Sequence, residues 1–293
     1  MPVLSFEITS HSCGNVDDPT LNARLQLTDF LTANGFSAAE TGYLFHDPRF
    51  EIYPEIAFRR STPPSMDRYS SVLFQNGLSL DVDRLRSQHS RYFKLAHNRY
   101  GVEAEAILAI LKVETQFGKI LGSHSVFNIL CSLALSDNSA AILHLEALLN
   151  EKYHYLTYDN RQRIINDFLI RVIEKADYAR YELLSLVTIA MRHDLDIHEL
   201  RGSYAGAFGL PQFMPSSVLR WGVDGNQDGV VNLFDYPDAI MSIANYLSKN
   251  GWASADSSRQ TALLRYNNSQ AYVANVLKTA VDLMILQDCG PSF

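Results

Sequence analysis

Cysteine is almost missing from this chain: three in 293 residues, at positions 13, 131 and 289, an odd number without metal-ligand spacing. That excludes a disulfide framework and a cysteine metal site. Cys13, after Ser-His-Ser, is also a poor match to a lipid-attachment site. Basic clusters are equally scarce. With 25 Lys and Arg against 32 Asp and Glu the formal net charge is −7, and no Lys/Arg-rich run gives the footprint of a nucleic-acid binder or an attraction to acidic surfaces. Neutral polymeric ligands fit better. The longest apolar run, near Leu183 to Met191 and interrupted by Ser185 and Thr188, is far too short to cross a bilayer, so no transmembrane segment is expected. The first residues, Met-Pro-Val-Leu-Ser-Phe-Glu, lack the basic and apolar regions of a signal peptide. The expectation is a cytoplasmic protein or a mature form whose leader has been removed. Nine histidines without H-x-x-x-H pairing, and the lack of any G-x-S-x-G segment, leave zinc hydrolysis and serine-esterase chemistry without support. There is no internal repeat, and strand signals are weak and brief.

What the chain has is helical pattern and 47% apolar residues, enough for a substantial core. Asp18-Pro19 opens a helix carrying Leu21, Leu25, Leu27 and Leu31 that Gly35 ends, and Ser37 with Glu40 forms a capping box for the next. Residues 52–76, with Arg59, Arg60, Pro63 and Pro64, read as an extended connection. One helix is predicted from Asp81 to Tyr100, stopped by Gly101. The next, Glu103 to Phe117, is apolar around most of its circumference and therefore buried. Cys131, in the run Ile129–Leu135, belongs to the core. Further helices are predicted over 139–151 and 160–193, the second with a break near Ala176 to Tyr178.

Three segments carry chemistry. In Val113-Glu-Thr-Gln-Phe-Gly118, Glu114 ends the buried helix with Gly118 placed as the residue after the cap. Desolvation and the negative end of the helix dipole both raise its pKa, which makes a general acid at neutral pH. Alone it would more commonly be a solvated helix-end Glu beside Lys112 and Lys119. In Gly202-Ser-Tyr-Ala-Gly-Ala-Phe-Gly-Leu-Pro-Gln-Phe-Met-Pro-Ser-Ser217, three glycines and two prolines shape a tight turn leading into a helix. There Ser203, Tyr204, Gln212, Phe213 and Met214 offer hydroxyls, an amide and apolar faces to a sugar, unless Phe213 and Met214 simply pack inward. Asp224-Gly-Asn-Gln-Asp-Gly-Val-Val-Asn-Leu-Phe-Asp235 matches an EF-hand loop, with Asp224, Asn226 and Asp228 as side-chain ligands, Gly229 at the sixth position and the Val230 carbonyl as a further ligand. Either Asp235 or Asp238 closes it, and a structural Ca2+ site is expected rather than a sensor. Near the C-terminus, Tyr266, Asn267 and Tyr272 surround a helix start capped by Asn268 or Ser269.

Taken in order, these motifs, with Ala-Asn-Tyr-Leu and Tyr-Asn-Asn-Ser, resemble the membrane-bound lytic murein transglycosylase B family of glycoside hydrolases over roughly Arg59 to Val276. The resemblance implies a mainly α fold of the α+β kind: an N-terminal helical domain with extended connection over residues 1–100, and a lysozyme-like core over 101–293. That core would carry a small β part and the EF-hand-like loop 224–238, with the C-terminal helix packing back on the helical domain. It implies that Glu114 is the single catalytic acid/base and that Ser203 lies beside that carboxylate. Gln212 and Phe213 would touch substrate, and Tyr246, Tyr266, Asn267 and Tyr272 would line the cleft. It favours Asp238 over Asp235 as the last Ca2+ ligand. The implied reaction cleaves the MurNAc-GlcNAc β-1,4 bond of peptidoglycan and leaves a 1,6-anhydro-MurNAc end, without an organic cofactor. Implied partners are the glycan strands and other cell-wall enzymes, for a monomer working in the periplasm or cell envelope with outer-membrane association. A water-using muramidase and a non-catalytic peptidoglycan-binding scaffold are the alternatives. Leu210 in the Gly-rich turn departs from the family pattern.

Overall fold

The computed structural model describes residues 19–57 and 78–288. Cys13, Asp18, Cys289 and most of the extended connection at 52–76 lie outside them. Twelve helices and one two-stranded sheet are present among the described residues, so the fold is mainly helical. The chain divides into two compact units, Met1–Ile52 and Tyr53–Phe293.

In the first unit α1 (Pro19–Ala33) packs on α2 (Ala38–His46). Leu27 and Leu31 are buried between them while Leu21 and Leu25 stay exposed. The Ser37 side chain accepts the Glu40 N–H and Glu40 returns a bond to the Ser37 N–H, which completes the expected capping box.

In the second unit α3 (Leu78–Gln88) and α4 (Ser90–Tyr100) replace the single helix predicted from Asp81 to Tyr100. The chain leaves helical geometry at His89, which has φ −112° and ψ 19°. Gly101 ends α4 in the left-handed region, as its lack of a Cβ allows. Helix α5 (Ala104–Thr115) is central. Ile107 to Leu111 are five consecutive fully buried residues, so this helix is apolar on every face because every face has a neighbour. The C-terminal helix α12 (Gln270–Asp288) packs along it, and Ser269, whose hydroxyl accepts the Tyr272 N–H, caps that helix.

Helix α6 (Val126–Ala134), buried along its whole length and including Cys131, lies against α8 (Tyr158–His193). The predicted break near Ala176 to Tyr178 is absent: α8 runs unbroken for 36 residues. Ala176 and Ala179 are buried there, so the polar stretch is only its outward face. Helix α7 (Ser139–Lys152) covers the other end of α8, with Leu145, Leu149, Ile165, Phe168 and Val172 forming a local cluster. Helices α9 (Pro215–Trp221), α10 (Tyr236–Lys249) and α11 (Asp256–Tyr266) complete the unit. Pro215 opens α9 at its first position, as expected.

The sheet pairs β1 (His124–Ser125) with β2 (Arg201–Gly202), antiparallel, His124 opposite Gly202. Short bridges extend it from Gly202 to Phe208 and from Phe208 to Phe213. These pairings fold the Gly-rich segment into two successive tight turns.

Candidate active site

Glu114 is the penultimate residue of α5, where buried helix gives way to a loop. Burial of its carboxyl raises its pKa to about 7, against a hydrogen bond from Tyr272 that lowers it. The Tyr272 hydroxyl donates to Glu114 Oε1 at 2.7 Å, and Tyr272 is itself only 1% exposed. Among the described residues the Tyr272 hydroxyl is the side-chain donor on this carboxyl.

The loop after Glu114 differs from the expected cap. Gln116, not Gly118, caps α5 in the left-handed region, and Phe117 and Gly118 follow with φ of 56° and 79°. Two consecutive non-glycine residues in that region cost about 1–3 kcal/mol each. Five contacts hold them. The buried Thr115 hydroxyl lies 3.2 Å from the Leu111 carbonyl and 3.1 Å from the Leu210 carbonyl, and it accepts the Gly118 N–H. The Phe117 N–H returns to the Leu111 carbonyl, and the Tyr236 hydroxyl donates to the Phe117 carbonyl at 2.9 Å. Thr115 and Tyr236 therefore position the corner beside Glu114, roles the sequence did not announce.

The Gly-rich turns form the facing wall. Gln212, at φ 49°, donates its amide to the carbonyls of Leu121 and Gly209, so it ties the loop after Glu114 to the second turn. Beside that tie Gly122 faces Gly202 so closely that a Cβ would stand 2.1 Å from the Gly202 carbonyl oxygen. The Ser203 hydroxyl accepts the N–H groups of Ala205 and Ala207 and shares no hydrogen bond with Glu114. Tyr204 and Met214 are half-buried beside these turns.

Phe213, Tyr246, Tyr266 and Tyr272 come together as an aromatic wall, with ring centroids 4.8–6.1 Å apart. Trp221, which sequence reasoning missed, joins it at 4.4 Å from Tyr246. Phe213 and Tyr246 are 2% and 6% exposed, so both mainly support the wall. The Tyr266 hydroxyl donates to the Pro211 carbonyl and that of Tyr246 to the Arg265 carbonyl, each at 2.6 Å. Burial pushes the Tyr246 hydroxyl to about 12, and burial followed by the charge of Glu114 pushes Tyr266 up as well. Both phenols are held neutral as donors. Asn267 is half-buried in extended backbone at the end of α11, next to this wall.

The Asp-rich loop is a separate feature. Asp224 accepts three backbone N–H groups, from Gln227, Asp228 and Gly229, and Asn226 and Asp228 bond one another. Val230 donates its N–H to Asp228, which leaves its carbonyl for a ligand. Asp238 is fully buried, and its two oxygens accept the N–H groups of Gly225 and Asn232. Asp235 is exposed and takes only an Asn232 amide. The donors are all oxygen, with three carboxylates and, among the described residues, no cationic side chain in an ion pair with them, which is the chemistry of a hard-cation cradle. Among the described residues no three His, Cys, Asp or Glu side chains already converge in ligating geometry.

Four similarities bear on this arrangement. Membrane-bound lytic murein transglycosylase B of Escherichia coli (strain K12) is 30% identical over 204 residues, 70% of this chain and 46% of that protein, so the alignment spans about half the length of that relative. The crystal structure of the soluble lytic transglycosylase SltB1 from Pseudomonas aeruginosa has the same fold: TM-score 0.69, 22% identity, 92% of this chain and 100% of that one. Escherichia coli lytic transglycosylase Slt35 in complex with calcium superposes with TM-score 0.68 at 20% identity over 93% and 95% of the two chains. The Transglycosylase SLT domain matches residues 23–263, a span that holds Glu114, the Gly-rich turns and the Asp-rich loop. The chain belongs to the Transglycosylase SLT domain family.

Proposed function

We propose that the chain is a lytic transglycosylase of peptidoglycan, built on a lysozyme-like core, that cleaves the MurNAc-GlcNAc β-1,4 bond with Glu114 as its single acid/base. The observation that carries this reading is the setting of Glu114: one desolvated carboxyl at the end of a buried helix, held at 2.7 Å by the buried Tyr272 hydroxyl, with a pKa raised to about 7. A hydrolytic glycosidase needs a second carboxylate as nucleophile or as base for water. A lytic transglycosylase does not. Protonated Glu114 gives its proton to the glycosidic oxygen as the bond to C1 of MurNAc breaks. The MurNAc C6 hydroxyl then attacks C1 of the same sugar, and the Glu114 carboxylate takes the proton that hydroxyl loses. The product is a 1,6-anhydro ring, and intramolecular attack removes any need to position water. A pKa near 7 serves both halves of this cycle.

Around Glu114, Tyr272 orients the carboxyl, while Ser203, Tyr204, Gln212, Met214 and Asn267 line the groove that receives the strand. Tyr246, Tyr266 and Phe213 support that groove from behind. In the Asp-rich loop, Asp224, Asn226, Asp228, the Val230 carbonyl and Asp238 would hold Ca2+. Its contribution is structural, neutralising the crowded carboxylates and fixing the loop between α9 and α10. The site of action follows from the substrate, in the cell envelope. Among the described residues no single helix is long and apolar enough to cross a membrane.

Mass spectrometry of the soluble products released from purified sacculi tests the proposal. Anhydromuropeptides from the wild type and none from Glu114→Gln are expected. Reducing-end products would instead mean a water-using muramidase, and strand binding without release from either protein would mean a scaffold.

A further inference from the structure

Glu182 lies in α8, completely buried, and takes no part in the chemistry above. A carboxylate removed from water costs several kcal/mol unless charge or hydrogen bonds compensate it. Among the described residues no Lys, Arg or His forms an ion pair with it. Both of its oxygens turn instead to one residue of another helix. Oε2 accepts the Ser216 N–H at 2.8 Å, and Oε1 accepts the Ser216 hydroxyl at 2.7 Å.

Ser216 is the second residue of α9, where a helix leaves N–H groups without partners of its own. Apolar contact alone would hold α8 against α9, but such contact tolerates sliding. Two hydrogen bonds to fixed atoms set one register. The segment so fixed is the one that shapes the groove. Immediately before Ser216, Phe213 pairs with Phe208 through both backbone bonds, and the Pro211 carbonyl accepts the Tyr266 hydroxyl. Tyr266 in turn stacks on Tyr272, at 6.1 Å and 13° between planes, and Tyr272 donates to Glu114.

We propose that Glu182 is a positioning residue for the acid/base centre: its carboxylate pins Ser216, and the 211–216 segment thereby seats Tyr266 and Tyr272 against Glu114. The inference rests on the reading of Glu114 given above, and its test has a readout that needs no substrate.

The comparison is Glu182→Ala with Glu182→Gln in the full chain. Gln keeps the volume, accepts the Ser216 N–H with its carbonyl oxygen and donates its amide to the Ser216 hydroxyl, so both bonds survive. Ala loses both and orphans the Ser216 N–H. The first readout is the titration of the Glu114 carboxyl by 13C NMR of glutamate-labelled protein, with Glu114→Gln identifying the resonance. The midpoint should stay at the wild-type position in Glu182→Gln and move upward in Glu182→Ala, because a displaced Tyr272 no longer favours the ionised form. The second readout is turnover of soluble glycan strands. There kcat should fall at least about tenfold in Glu182→Ala with KM changed less than about twofold, and Glu182→Gln should stay within about threefold of the wild type. A folded Glu182→Ala protein with an unmoved Glu114 midpoint overturns the proposal, as does a Gln variant that behaves like Ala. If Glu182→Ala does not fold, Ser216→Ala removes the hydroxyl bond alone and the same upward shift decides. A wild type that releases no product while the midpoint still moves refutes the proposed function and leaves the positioning role standing.

Discussion

Two acidic centres lie within about 120 residues of each other in this chain, and they use the same functional group in opposite ways. Glu114 sits at the end of an apolar helix, with one side-chain donor among the described residues, the Tyr272 hydroxyl, on its carboxyl. Asp224 sits in a loop and gives its two oxygens to three backbone N–H groups. One carboxyl is left with a proton to trade near neutral pH; the others are spent on holding a turn. Environment, rather than residue type, separates a carboxyl with a raised pKa from one that organises a loop.

The sharpest way to break that contrast is at Glu114 itself. Glu114→Gln should lower turnover by about 10²–10⁴-fold and at the same time stabilise the fold. A carboxyl whose pKa rises from 4.5 to about 7 on folding binds more proton when folded. Wild-type stability therefore falls as pH rises from 4.5 to about 7, and Gln escapes that loss. Thermal melts should show no difference between the two proteins below pH 4.5 and a gap on the order of 3 kcal/mol above pH 7. A parallel pair of melting curves at all pH values would place Glu114 in water instead. Next in size is Gly122→Ala. Its Cβ would meet the Gly202 carbonyl, so a loss of more than about 3 kcal/mol in chemical denaturation is expected, with activity lost alongside. Tyr272→Phe should be milder, about a tenfold loss of kcat, and it should move the alkaline limb of the kcat profile upward because the bond that favours ionised Glu114 is gone. The smallest effect belongs to the second centre. Chelation should lower the melting temperature by a few degrees, as about 1 kcal/mol of linkage at about a fivefold excess of Ca2+ over Kd would produce, with the Glu114 titration unmoved. A shift of that titration on chelation would show that the two centres are coupled.

The motif residues were legible because their chemistry is local. A Glu ending an apolar helix, a Pro-opened helix after a Gly-rich turn and an Asp-rich loop with a glycine at its sixth position can each be seen in a short window. The long α8 was harder. Its outward polar stretch near Asp177 looks like a break in one dimension, and only buried Ala176 and Ala179 show that the inner face continues. For the left-handed turn after Glu114 the sequence points to Gly118, because glycine is the usual occupant. Instead, tertiary bonds from the Tyr236 hydroxyl to the Phe117 carbonyl and from the Thr115 hydroxyl to the Leu210 carbonyl sustain Gln116 and Phe117 there. Glu182 gave no signal, since an isolated acid in a helix normally faces water. Its partner is 34 residues away, and no periodicity encodes such a pair.

The turn at Gln116 to Gly118 also bears on how the molecule assembles. Its short-range bonds cannot by themselves sustain two disfavoured backbone conformations, and the contacts that do arrive from 95 and 119 residues away. Loops of that size close late, after local helices have formed. The arrangement around Glu114 is thus among the last features a folding chain acquires, and enzymatic activity, rather than helix content, reports that folding is complete.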